Sequence, residues 1–319
     1  MNPKRNIILF DVYGLASSVP TLTAANFTKP NLDGTTIEAV VQKHEGNYVK
    51  NALGHSPDIT ASTNVNVDLS YVMNLGEDVA DVDWIKLIQA ACIQVEQDIE
   101  KFIISPLPGE PAVHAVLHFF EAVSNVNAFK LIAQRIMFGG VNIVANGNEV
   151  PMINFTGGLG TYVSRELTEA ITVIDHSYTK HKTTPSFRPV FAIGADEAWK
   201  CHSMEMNIEN SIVQKIDGVV SEGFGNCDIT DQNTIVNFSL YLDKAKDHLR
   251  DVMKVGDVLE DISIKWTNSA GLGIEIDLGM VQLSECELTH DNNIYSYQCV
   301  GKVIDNSWSM VVDKLPEEV

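Results

Sequence analysis

Hydrophobic and polar residues alternate in short runs along most of the chain, and glycine, asparagine and proline separate these runs. Alternation with a period of two is typical of strands with one buried face. One such run extends from Val65 to Tyr71 and another from Val236 to Leu242. Their apolar faces consist of Val65, Val67, Leu69 and Tyr71 in the first run, and Val236, Phe238, Leu240 and Leu242 in the second. The pattern predicts a mainly β protein.

Two stretches have the period of an amphipathic helix instead. The first covers Asp83 to Asp98 and the second covers Leu242 to Met253. Their apolar stripes are Trp84, Ile88, Ala91, Cys92 and Val95 in the first stretch, and Ala245, Leu249, Val252 and Met253 in the second. This spacing predicts two helices that lie on a hydrophobic core.

Further strands are predicted after each helix. In the second half, alternating apolar residues lead to a turn at Asn268–Gly271 and continue beyond it, as Ile262, Ile264, Trp266, Ile274, Ile276, Leu278, Val281, Leu283, Tyr295, Tyr297 and Cys299. In the first half, Val141, Ile143 and Ala145 precede a turn at Asn146-Gly147-Asn148, and Val150, Met152 or Ile153, and Phe155 follow it. An Asn-Gly pair between alternating runs indicates a β-hairpin. The segment from Ala112 to Phe138 fits either a helix or two strands joined at Ser124–Asn127.

The two halves therefore share an order of strand, helix and strands. The sequence Asp-Ile-Thr also occurs twice, at Asp58 and Asp228, which are 170 residues apart. We interpret this as an internal duplication. The prediction is a first domain over 1–178, a linker over 179–189 and a second domain over 190–319, and the alternative is one large mixed domain.

Charge and cysteine content narrow the classes of function. The 319 residues include 22 basic and 42 acidic side chains, for a formal charge of -20. Such a surface repels nucleic acid and anionic membranes. The five cysteines have no CxxC spacing, which indicates reduced thiols rather than a disulfide framework. The apolar run from Ile7 to Phe10 is too short for a signal peptide or a membrane span, so a soluble protein made in a cytoplasm is expected.

Two groups of residues have metal-ligand chemistry. The first comprises His114, His118 and Glu121, and the second comprises Cys286, His290 and Cys299. The first group lacks the HExxH arrangement, and in a strand its two imidazoles would lie too far apart for one metal ion. The second group has no zinc-ribbon or finger spacing. We interpret both groups as structural.

Glycine-rich segments were the remaining candidates for chemistry. They lie at Gly157–Gly160, Gly223–Gly225 and Gly271–Gly273, and none has the spacing of a phosphate-binding loop. Turns or bulges account for them. The sequence thus predicts no catalytic, cofactor-binding or metal-binding residues, and no enzyme.

A series of segments, taken in order, resembles the tail tube proteins of long-tailed bacteriophages. The segments are Ile8–Gly14, Ser18–Pro20, Thr23–Ala25, Glu38–Val41, Asn51–Pro57, Val65–Leu75, Asp83–Cys92, Phe138–Ala145, Glu149–Pro151, Ile153–Gly157, Ser221–Tyr241, Gly273–Asp277 and Val281–Leu283. The resemblance covers most of the chain.

The resemblance implies a fold and a role. The expected fold is mainly β, with two sandwich-like or barrel-like units, each with a flanking helix, whose sheets join into a ring. The expected role is a structural virion protein made in the host bacterial cytoplasm, whose trimeric or hexameric rings stack into a negatively lined tube. DNA would pass through without specific binding, no membrane would be involved, and the terminator, tape measure, baseplate and sheath proteins would be partners. The alternatives are another tail component, such as a terminator or baseplate hub, and a cytoplasmic binding module.

Overall fold

The protein consists mainly of antiparallel β-strands. The structure is a computed structural model that describes residues 6–14, 17–31, 35–44, 59–107, 113–123, 126–146, 150–169, 190–194, 196–216, 224–241, 254–268, 271–291 and 294–316. The strands are β1 (Ile7–Gly14), β2 (Phe27–Thr28), β3 (Thr36–His44), β4 (Ile59–Val72), β5 (Ile93–Gln97), β6 (Lys101–Pro106), β7 (Val113–Ala122), β8 (Asn127–Met137), β9 (Gly140–Asn146), β10 (Met152–Glu169), β11 (Val190–Ile193), β12 (Asp196–Ile216), β13 (Phe224–Tyr241), β14 (Val258–Leu259), β15 (Ile262–Thr267), β16 (Gly273–Asp277), β17 (Val281–Asp291), β18 (Ile294–Val303) and β19 (Ser309–Asp313). The prediction of a mainly β protein is confirmed.

Eight strands lie side by side in the order β3–β4–β10–β9–β12–β13–β18–β17, and we call this the eight-strand row. The long strand β10 makes a branch in the sheet. Its first part pairs with β9, whereas its second part pairs with β8, from which β7, β1 and β2 continue. The row is not closed, because the pairing found at β3 and at β17 does not join these two strands to each other.

A second series of strands, which we call the side series, has the order β5–β6–β19–β16–β15–β11 and joins the row at the beginning of β12. Side chains of both series meet in one buried hydrophobic cluster. The largest fully buried members include Trp84, Trp266, Trp308, Phe102 and Phe155. Burial of apolar surface is the dominant favourable contribution to folding, so this cluster is the main source of stability.

The alternating runs form the strands that their spacing predicts. Val65, Val67, Leu69 and Tyr71 are buried in β4, and Val236, Phe238 and Leu240 are buried in β13. The runs around Asn268–Gly271 form β15 and β16, and those around Asn146 form β9 and β10, which are paired as a hairpin. Residues 147–149 of that turn and Leu242 lie outside the described part of the chain.

The helix prediction for Asp83 to Asp98 is wrong in its second half. The α-helix, α1, covers Asp83–Ile88, and a turn of 3-10 helix covers Gln89–Ala91. Cys92 then has a left-handed backbone with φ 59°, and β5 begins at Ile93. Ile93 and Val95 also alternate with polar residues, so they fit a strand as well as a helix, and pairing with β6 decided between these. The predicted helix at Leu242–Met253 lies outside the described residues.

The described part of the segment from Ala112 to Phe138 forms two strands, Val113–Ala122 and Asn127–Met137, rather than a helix. Strands β7 and β8 pair in an antiparallel manner around the predicted turn, of which residues 124 and 125 are not described. The predicted linker over 179–189 also lies outside the described residues. Strands from either side of it are hydrogen-bonded, namely β9 with β12 and β6 with β19, so the two halves share one sheet and one core. The division into domains at these boundaries stays a prediction.

Candidate functional site

The histidines of the first candidate group lie along strand β7. His114 is fully buried, whereas His118 is half-buried. Residues four apart along a strand are separated by about 13 Å, which is too far for one metal ion. Burial, together with a smaller contribution from the charge of Lys130, lowers the pKa of His118 to about 4. Glu121 forms an ion pair with Arg165, with a distance of 3.2 Å between Oε2 and Nη2.

In the second candidate group, the two cysteines lie together and the histidine lies apart from them. Cys286 in β17 and Cys299 in β18 are directly paired, and their sulfur atoms are 2.9 Å apart. His290 lies further along β17 and stacks on Tyr295, with 4.5 Å between the ring centroids. Within the described residues, no group of three potential metal ligands was found.

The glycine-rich segments have structural roles where they are described. Gly157 has φ +59° at a bulge in β10, between the residues that pair with Leu69 and Val67 of β4. A Cβ atom on Gly158 would collide with the Val67 carbonyl oxygen. Gly271 has φ +82° in the turn before β16. Gly225 lies in β13, and Gly223 is not described.

The outer face of the eight-strand row is polar and acidic. Successive side chains of a strand point to opposite faces of the sheet. The residues that alternate with the buried ones along each strand therefore point outward. Among the described side chains of this face, the acidic ones are Glu38, Asp68, Glu205, Glu209, Asp231, Glu285 and Glu287, and the basic one is Lys302. The remaining polar side chains are mostly amides and hydroxyls, including Asn66, Ser70, Asn154, Asn142, Asn207, Asn237, Ser239, Gln298 and Ser296. The face therefore carries a clear excess of negative charge.

Glu205 lies at the centre of this face, in β12. The amide nitrogen of Asn142 donates a hydrogen bond to its Oε1 atom at 2.6 Å, and that of Asn207 donates at 3.3 Å. The amide of Asn237 donates to its Oε2 atom at 3.5 Å. These donors come from β9, β12 and β13 and satisfy the carboxylate within the sheet, so its geometry is set by the backbone of three adjacent strands.

A shallow depression of about 510 Å³ lies beside this cluster, and its floor is the same sheet. It is lined by side chains that include Asn146, Glu205, Asn237, Glu285 and Glu287. His202, Ser203 and Cys299 also line the depression, so an imidazole, a hydroxyl and a thiol lie near the carboxylates and amides. The carboxylates give this part of the face a negative charge, which repels anions.

The sequence contains a signal for this face in the segment that forms the middle of β12. From Ser203 to Glu209, polar residues alternate with Met204, Met206 and Ile208, which are all buried. This alternation predicts a strand with one polar face. It does not reveal which polar side chains lie next to one another, because that depends on the registers with β9 and β13.

The eight-strand row has two edges. Within the described residues, β3 pairs only with β4, and β17 from Ser284 onward pairs only with β18. Unpaired backbone N–H and C=O groups at an edge are ready to bind another strand. In the described part of the chain, no helix has the length and apolar character to cross a bilayer.

No protein-family model matches the chain, and no curated protein matches its sequence.

Proposed function

We propose that this chain is the structural subunit of a bacteriophage tail tube, with two sandwich-like units per chain, and that it assembles through the two edges of the eight-strand row. The observation that carries the proposal is the junction between β9 and β12. It is an edge-to-edge contact between the two halves of one chain, and it has the geometry that a contact between two chains would need.

The row is a repeat of four strands. The order β3–β4–β10–β9 in the first half corresponds to β12–β13–β18–β17 in the second. Aligning the buried residues of β4 and β13 places Val236 on Val65, an offset of 171 residues. The strand registers then place Glu205 on Glu38 and Gly301 on Gly160. The agreement of residue types across different strands supports the duplication.

The internal junction predicts the register of an external one. In the chain, Ile143 of β9 pairs with Met206 of β12. In the same alignment, His290 of the second repeat corresponds to Ile143 of the first, and Ala39 of the first repeat corresponds to Met206 of the second. His290 of one subunit would therefore pair with Ala39 of the next, in an antiparallel ladder between β17 and β3.

Exposed side chains at the β17 edge support this contact. Leu288 and Tyr295 are 39% and 49% exposed. Their counterparts in the first half, Val141 and Ile153, are 1% and 0% exposed, and Val141 is paired with Ile208 of the second half. Apolar side chains that one half buries and the other leaves open are expected where a further copy binds.

Head-to-tail contacts of this kind make a ring when the rotation closes. Three chains supply six four-strand repeats, a wall of about 24 strands spaced about 4.8 Å apart, and thus a diameter of roughly 37 Å before strand tilt widens it. Such a lumen accommodates a DNA duplex. Trimeric rings are preferred over hexameric rings because the chain already contains two repeats.

The acidic outer face of the row would line this lumen. Carboxylates such as Glu205 and Glu287 would repel phosphates over about 8 Å at physiological salt. A channel that repels its cargo lets the DNA slide, because no contact has to be broken at each step. The side series would lie outside the tube wall, where terminator, baseplate and sheath proteins would contact it. The protein would act without catalysis, in the virion.

Two experiments test this proposal. Electron microscopy of the purified protein should show hollow rings or stacked tubes with threefold or pseudo-sixfold end views. In parallel, the double variant Ala39→Cys/His290→Cys should cross-link between subunits under mild oxidation. The ladder of bands on a non-reducing gel should end at the trimer for a three-chain ring and at the hexamer for a six-chain ring.

The matched control is Ala39→Cys/Ile99→Cys, because Ile99 is 90% exposed but lies at the turn between β5 and β6. This control should not form the ladder. Compact particles without a lumen, together with equal cross-linking of the two double variants, would refute the tube proposal. Closed rings that never stack would identify a tail terminator instead.

A further inference from the structure

Two of the cysteines face each other across a pair of strands at the end of the sheet. Cys286 and Cys299 occupy one register position of the β17–β18 pair, and their sulfur atoms are 2.9 Å apart. A disulfide needs a sulfur–sulfur distance of about 2.05 Å, so a side-chain movement of about 1 Å closes the bond without a change of register. Cys92 and Cys201 lie elsewhere and bond to carbonyl oxygens, of Leu107 and Ser203 respectively.

We propose that Cys286 and Cys299 form a reversible oxidation site, at which a small-molecule disulfide converts the two thiols into a cross-strand disulfide. This inference does not rest on the proposed function, because it concerns a pair of side chains inside one subunit. The bond would link β17 to β18 covalently beside the open edge of the row.

The environment assigns different roles to the two thiols. Cys286 is half-buried, whereas Cys299 is 2% exposed. The hydrogen bond from Cys299 lowers the pKa of Cys286, while the same bond and burial raise the pKa of Cys299. The thiolate is the attacking species in disulfide exchange, so Cys286 is the nucleophile that meets the oxidant, and Cys299 is the resolving thiol.

The steps balance with oxidised glutathione as the oxidant. The Cys286 thiolate attacks one sulfur of the glutathione disulfide, forms a mixed disulfide and releases one glutathione thiolate. Cys299 then loses its proton and attacks the Cys286 sulfur, which releases the second glutathione. Two protein thiols are oxidised to one disulfide, and one glutathione disulfide is reduced to two thiols.

Peptide mapping of the intact protein tests this site. Trypsin cleavage after Lys265 and Lys302 releases peptide 266–302, which contains Cys286 and Cys299 and no other cysteine. After incubation with oxidised glutathione and blocking of free thiols with N-ethylmaleimide, this peptide should take up no maleimide and be lighter by about 2 Da than the reduced form. Reduction with dithiothreitol should restore both thiols.

Cys201 provides an internal control. It is half-buried like Cys286, but burial raises its pKa to about 12, and it lies alone in the tryptic peptide 201–215. Its peptide should remain reduced under the same conditions. In Cys299→Ser, the peptide 266–302 should instead carry one glutathione on Cys286, because the resolving thiol is missing.

The proposal is overturned if peptide 266–302 keeps two free thiols while glutathione reaches Cys201 at an equal or higher rate. It is equally overturned if both cysteines each retain a glutathione, or if the oxidised protein shows only intermolecular dimers. Cleavage of the oxidised peptide at Glu287 should leave two fragments joined until reduction, which confirms that the bond is internal.

Discussion

The side chain of Asn210, in strand β12, connects the two halves of the chain through hydrogen bonds. We expect its replacement by alanine to lower the free energy of unfolding. Its amide nitrogen donates hydrogen bonds to the carbonyl oxygens of Ala91 at 2.9 Å and Phe138 at 3.0 Å. Its amide oxygen accepts one from Nε2 of Gln232 at 2.9 Å. Ala91 ends the turn after α1 and Phe138 joins β8 to β9, so one side chain connects the second half to two separate segments of the first.

The magnitude follows from these bonds. A net hydrogen bond contributes about 0.5–1.5 kcal/mol, and a partner left unsatisfied inside the protein costs more than the average bond. With three bonds lost, Asn210→Ala should destabilise the protein by about 2–4 kcal/mol. Urea unfolding followed by tryptophan fluorescence measures this change, and the midpoint should fall while the slope stays the same.

Two further variants sharpen the test. Asn6→Ala is the matched control, because Asn6 is exposed, and its midpoint should not move. Asn210→Asp keeps the acceptor for Gln232 but places a carboxylate against two carbonyl oxygens. Its loss of stability at neutral pH should therefore diminish in acid, where the carboxyl is protonated. A change below about 0.5 kcal/mol for Asn210→Ala, similar to that of a surface substitution, would refute the reasoning.

Three other predictions concern the core, the pH response and the charged face. Gly158→Ala should destabilise the protein by about 1–3 kcal/mol, measured by thermal melting, because the new Cβ would meet the Val67 carbonyl. The pKa of His118 is about 4 in the folded protein and 6.5 ordinarily, so the unfolded chain binds more protons between these values and stability should fall as the pH drops through them. His118→Gln should make urea midpoints at pH 7 and pH 5 more alike than in the unmodified protein, and an unchanged difference would contradict this assignment. Glu205→Lys/Glu287→Lys should bind short duplex DNA at low salt in a fluorescence anisotropy assay, whereas the unmodified protein should not.

The sequence by itself determined the strand content and the direction of most side chains. The alternating pattern can be recognised without knowing which strand pairs with it. A strand that buries one face must place its apolar residues at every second position. This is why Val65, Val67 and Leu69, and Val236 and Phe238, were assigned correctly to buried faces.

The tertiary structure decided the elements whose residues fit two periods. Ile93 and Val95 suit a helix or a strand, and pairing with β6 made them a strand. The same holds for β7 and β8, where the pairing of Phe119 with Leu131 satisfied the backbone of both strands at once. Backbone hydrogen bonds to distant residues are not visible in a local pattern, so such segments stayed ambiguous.

The sequence alone did not predict which residues come together in the candidate site. The net negative charge of the chain was evident from composition, but the face that carries part of it was not. Asn142 and Asn237, which bond to Glu205, lie 63 and 32 residues from it along the chain. The pairing of Cys286 with Cys299 likewise depends on a bulge in β17 beside Ser284. Register between strands is set by the fit of whole faces against the core, and a shift of one residue would turn each of these side chains to the opposite face. The sequence therefore determined which residues are polar or apolar along each strand, whereas only the folded sheet decided which of them became neighbours.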